Sequence, residues 1–113
     1  PLLVRHIALQ RIGTPDTRLA EASARWSSDP WAQAIAEFLL GRRTEEDLEA
    51  LASEPEDTRQ QSGRLCEAHF YIGMTRALAG DRSTARLRFK AAMATGMKTF
   101  VEHTLAEAEL KRL

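Results

Sequence analysis

Cysteine is almost absent from this sequence: Cys66 stands alone. A single thiol can form neither an intrachain disulfide nor a thiolate metal cage, and it fits a reducing or an oxidising compartment equally well. Charge of one sign is also missing, since 16 basic and 16 acidic residues give a formal net charge of zero. A general attraction to nucleic acid or to an anionic membrane needs clustered positive charge, so neither is an expected partner. No apolar run approaches the roughly 18 residues of a membrane-spanning helix. The chain begins Pro1-Leu2-Leu3-Val4-Arg5, already inside a helical apolar pattern and without Met, which suggests a piece of a longer protein. Missing too are a glycine-rich phosphate loop, a serine-centred elbow and a zinc-binding helix, so no enzyme is expected and no cofactor is called for.

What is present is helical periodicity over 113 residues of which 43% are hydrophobic, enough for one domain with a core. Leu2, Leu3, Ile7, Leu9 and Ile12 predict a first helix closed by Gly13, and Thr14-Pro15 opens a second with Leu19, Ala22 and Trp26 on one face. Ser28-Asp29-Pro30 starts a third helix, residues 30–40, whose face carries Trp31, Ala34, Ile35, Phe38 and Leu39. Thr44 with Asp47 resembles a capping box and opens a fourth, which the run Ser53-Glu54-Pro55-Glu56-Asp57 interrupts. The polar stretch up to Gly63 reads equally as a loop or as exposed first turns, so the fifth helix is placed securely only over residues 64–79. A sixth follows the Gly80-Asp81 turn over residues 83–95, and residues 98–113 form a last, unpaired helix.

The pattern is most regular from Cys66 to Met97. Ile72-Gly73, Ala85, Phe89 and Ala92 fall where a helical hairpin needs a close backbone approach, a small side chain and an aromatic filler. His69 and His103 lie 34 apart, as do Ile72 and Ala106, and 34 is the tetratricopeptide period. On these residues the chain resembles the tetratricopeptide repeat (TPR) family. It departs from the family pattern at His69, Arg76 and Met97, where Trp, Tyr and Pro are usual. In a second, less regular repeat Trp31 takes the tryptophan position, and Ala34, Ile35 and Phe38 fall where Leu, Gly and Tyr are usual. A narrower similarity is to the NlpI-like lipoproteins, bacterial envelope TPR proteins, carried by Cys66-Glu67-Ala68-His69-Phe70-Tyr71-Ile72-Gly73, Phe89-Lys90-Ala91 and Phe100-Val101-Glu102-His103.

The resemblance implies an all-α solenoid of about three helix hairpins (residues 1–26, 30–53 and 62–96) with a capping helix over 98–113. It also implies a non-catalytic adaptor that binds other proteins, with homo-oligomerisation or structural capping of a larger envelope protein as the alternative. It favours the periplasm or cell envelope, while the residues themselves leave the compartment open. In such hairpins the groove is lined by the first helices, here Glu67, Phe70, Met74, Ala77 and Leu78, with Ala36 and Leu39 on the neighbouring first helix. Phe70 and Met74 replace the Lys and Asn that hold a terminal carboxylate in some TPR domains, so a helix or an extended apolar peptide is the expected occupant. Of the remaining candidates, His69 and His103 are expected to pack half-buried, since His6, His69 and His103 include no i, i+4 pair for a metal. Cys66 is expected to pack at the start of its helix. Glu102, Glu107, Glu109, Lys111 and Arg112 are assigned to the solvated side of the last helix.

Overall fold

The computed structural model describes Leu3, Val4, Ile7 and residues 29–113. The expected helices before Asp29, and His6 with them, lie outside the described residues apart from those three positions. The described part is all-α, without a strand: α1 Pro30–Leu39, α2 Glu45–Ala52, α3 Thr58–Leu78, α4 Arg82–Ala94 and α5 Val101–Arg112. The chain divides between Leu48 and Glu49 into two compact units.

In the first unit, α1 begins where its sequence says it should. The Asp29 side chain accepts from the Ala32 amide at 3.2 Å, and Pro30 follows as the residue that has no amide to leave unpaired. Ala34, Ile35, Ala36, Phe38 and Leu39 are buried. The α2 start uses the Thr44 hydroxyl, which accepts from the Asp47 amide at 3.1 Å. Glu45, Glu46 and Asp47 then occupy the first turn, the positive end of the helix dipole. Arg43 bridges Asp47 at 2.7 Å and Glu37 at 3.1 Å, and those bonds hold its guanidinium above its ordinary pKa.

In the second unit, α3 is a helix of 21 residues, about 30 Å long at 1.5 Å per residue. The polar stretch from Thr58 to Gly63 belongs to it as its first turns. Asp57 caps it by accepting from the Gln60 amide at 2.8 Å, and Gly63 does not break it because its bare backbone faces the Phe100 ring. After Leu78 the chain turns through Gly80, at φ 86°, a region that costs a residue with a Cβ roughly 1 kcal/mol or more. Asp81 then caps α4 by accepting from the Thr84 amide at 3.2 Å; the Thr84 hydroxyl, and after it that amide, hold its carboxyl below the ordinary range.

Helices α3 and α4 run antiparallel, and α5 packs on both. They come close at Gly73, where an added Cβ would lie 2.7 Å from Phe89 Cε1. Phe89, Ala85 and Ala92 are fully buried along α4, and Cys66, Ile72 and Tyr71 of α3 are buried as well. Hairpin packing of this kind rests on residue size at a few positions: glycine or alanine where backbones converge, an aromatic where they diverge. The last helix is anchored at both ends. Phe100 covers Gly63, and Arg86 of α4 donates to the Leu113 backbone oxygen at 3.1 Å.

Candidate interaction surface

Helix α3 supplies five of the seven residues expected to line a groove, and the structure divides them. Phe70 and Met74 are inside, each only 2% exposed. Phe70 makes an edge-on contact with Tyr71, ring centroids 5.0 Å apart at 75°, and a tilted one with Phe89 at 6.1 Å. Stacking of this kind adds about 0.5–1.5 kcal/mol to the area each ring buries. Glu67 and Ala77 are partly exposed, and Leu78 is 38% exposed. Ala36 and Leu39, on α1 in the other unit, are buried. The repeat-packing positions are placed as follows: Ile72, Gly73, Ala85, Phe89 and Ala92 are buried in the hairpin, Phe38 is buried on α1, and Trp31 is half-buried.

His69 and Cys66 of the second unit are tied into its packing. His69 is half-buried, with Nδ1 3.1 Å from Arg88 Nη1, and Arg88 also pairs with Glu49 of α2. Burial, and after it the positive charge of Arg88, lower the His69 pKa, while Glu49 opposes them. An imidazole in that position accepts from the guanidinium as the neutral form. Cys66 is fully buried, and loss of water raises its thiol pKa, so the thiolate that a nucleophile requires is disfavoured. His103 is buried near the start of α5. Among the described residues no three His, Cys, Asp or Glu side chains are grouped to hold a metal, and no helix is long and apolar enough to cross a membrane.

Glu102 corrects the expectation from sequence. Rather than lying on the solvated side of the last helix, it is 8% exposed and accepts from the Tyr71 hydroxyl at 2.9 Å. Burial and the adjacent carboxylate push the Tyr71 pKa far up, so the phenol keeps its proton and stays a donor. The signal was available. Glu102 lies 34 residues after Ala68, which is fully buried, so the repeat period places it on the inward face. A carboxylate can occupy that inward position because a tyrosine hydroxyl of the preceding hairpin meets it.

No family model matches the chain, and no solved structure matches it. Among curated proteins the chain is similar to the lipoprotein NlpI homolog of Haemophilus influenzae, with 35% identity over 98 residues that make up 86% of this chain and 31% of that protein. The chain thus spans about a third of its relative's length.

Proposed function

We propose, from the likeness to the NlpI homolog and the helical architecture, that this chain is a non-catalytic protein-interaction scaffold of the tetratricopeptide type, working in a bacterial cell envelope. The observation that carries this reading is the α3–α4 hairpin. Its interior is packed through Gly73, Phe89 and Ala85, and its Tyr71 hydroxyl donates to the buried Glu102 carboxylate of α5. Such a frame holds its outer side chains in fixed positions, which lowers the ordering cost of recognition. The docking surface is assigned to the accessible positions of α3, Glu67 near its middle and the apolar pair Ala77 and Leu78 at its C-terminal end. The occupant is a helix or an extended peptide with apolar side chains at its contacts.

Leu78→Glu and Glu67→Arg test the reading, because both positions are accessible and neither substitution opens the core. Proteins captured from a bacterial envelope extract by the wild-type chain are identified by mass spectrometry and compared with those held by each variant. The expected result is the loss of the same defined protein from both variants while circular dichroism stays unchanged. An identical captured set would overturn the assignment to α3. A change in light-scattering mass between wild type and Leu78→Glu would show that the surface serves self-association instead.

A further inference from the structure

The zero net charge conceals two segregated blocks. Residues 45–57 carry seven acidic side chains and no basic one, whereas residues 82–98 carry Arg82, Arg86, Arg88, Lys90 and Lys98 and no acidic one. Most of the second block is α4. Its buried stripe is Ala85, Phe89 and Ala92. At 100° per residue Leu87 lies about half a turn from that stripe, and it is 67% exposed, a large apolar side chain held out to solvent. Arg82, Arg86 and Lys90 are exposed, stacked at intervals of four residues and so about 6 Å apart along the helix, with Lys90 nearest Leu87 at about 60° around the axis and Arg82 farthest at about 140°. Arg86 reaches the Leu113 backbone oxygen, while no side-chain hydrogen bond or ion pair ties Arg82 or Lys90 to another described residue. Arg88 is turned to the other side, toward Glu49 and His69.

We infer that this outer face of α4 is a second docking surface, separate from the accessible side of α3, and that it takes an acidic amphipathic helix of another protein. Carboxylates four residues apart on a helix have the same spacing as the Arg82–Arg86–Lys90 ladder, and arginine forks favour carboxylate oxygens. Leu87 selects the class of partner. Duplex nucleic acid gains nothing from an exposed leucine, whereas a protein helix brings an apolar side chain to cover it, and the i, i+4 cation spacing matches carboxylates fixed on a helix better than headgroups that have no fixed spacing. Three cations are also few for holding duplex nucleic acid, whose binding is built from many phosphate contacts.

The test uses a fluorescently labelled synthetic helix with glutamates at i, i+4 and i+8 beside one leucine, titrated with the chain and followed by anisotropy at low salt and at about 0.15 M salt. Saturable binding is expected, weaker at higher salt and weakened about tenfold by Arg82→Glu combined with Lys90→Glu. Leu87→Ser should weaken it several-fold with the salt dependence unchanged, and Leu78→Glu should leave it intact. Circular dichroism checks the fold of each variant, and Arg82→Gln with Lys90→Gln provides the same comparison if charge reversal disturbs α4. The proposal is overturned by absence of binding, by binding indifferent to Leu87, or by phosphatidylglycerol vesicles or duplex DNA binding where the peptide does not. Self-association of the chain that the charge-reversed variant abolishes would overturn it too, since the occupant would then be a second copy.

Discussion

A methyl group on residue 73 would enter the Phe89 ring, and so the size of one side chain sets how closely α3 and α4 approach. Gly73→Ala gains about 1 kcal/mol of helix propensity but overpacks a full interior, at a cost of about 1–3 kcal/mol. A net loss of stability is expected by urea denaturation, and Phe89→Leu in the same chain should reverse part of it by making room. At position 71 the balance is polar. Tyr71→Phe removes the donor and leaves the buried Glu102 carboxylate unmet, a loss of about 1–3 kcal/mol. Glu102→Gln, which still accepts from the phenol, should cost less; a Tyr71→Phe variant as stable as wild type would show that water replaces the hydroxyl. Gly73 and Phe89 were readable as packing positions because their spacing is a steric pattern. The partnership of Tyr71 with Glu102 was not, because it joins residues 31 apart and a glutamate is ordinarily placed in water.

Helix boundaries depend on caps more than on hydrophobicity, which is why the start of α3 was hidden. Residues 58–63 offer no apolar stripe, yet they are helical because Asp57 meets the Gln60 amide and because Gly63 has a ring against it. Asp57→Ala should therefore cost about 1 kcal/mol and fray those turns, read as faster amide hydrogen exchange over residues 58–63 with the exchange of residues 66–74 nearly unchanged. The junction of three helices at His69 gives a pH response. Its imidazole faces Arg88 on α4 and Glu49 on α2, and its folded pKa is lowered below the ordinary value of about 6.5. Below that value the unfolded chain takes up a proton that the folded chain resists, so stability is present above pH 6.5 or so and is lost as pH falls through the lowered folded pKa. Thermal melts of wild type and His69→Gln across this range check it: the difference between them should change with pH in that window and level off above it. The period of 34 had placed His69 at a packing position, while the guanidinium against it comes from another helix and has no local signature.

In a stack of helical hairpins each unit is stabilised by its neighbours, and the last apolar face has to be covered. The last helix of the described residues was legible from its period, with His103 34 residues after His69, and it packs on α3 and α4. The groove expectation shows the limit of the same reasoning. Repeat register assigns Phe70 and Met74 to a face of α3, but how deep a face lies depends on what packs against it, and both residues are closed off from solvent. In the second unit α5 does the covering, with Phe100 over Gly63, Glu102 on Tyr71, and Ala106 fully buried. Removing residues 100–113 would strip all three at once and leave the Tyr71 hydroxyl and the Gly63 backbone facing water beside an apolar surface. The truncated chain is expected to keep much of its helical circular dichroism, because caps and periodicity within α3 and α4 are local. It should bind a hydrophobic dye and lose the sharp thermal transition of the intact chain, because the packing that makes the second unit cooperative is shared across α5. A truncated chain that melts as sharply as the intact one, without dye binding, would show that the α3–α4 hairpin is stable by itself and that α5 is dispensable to it.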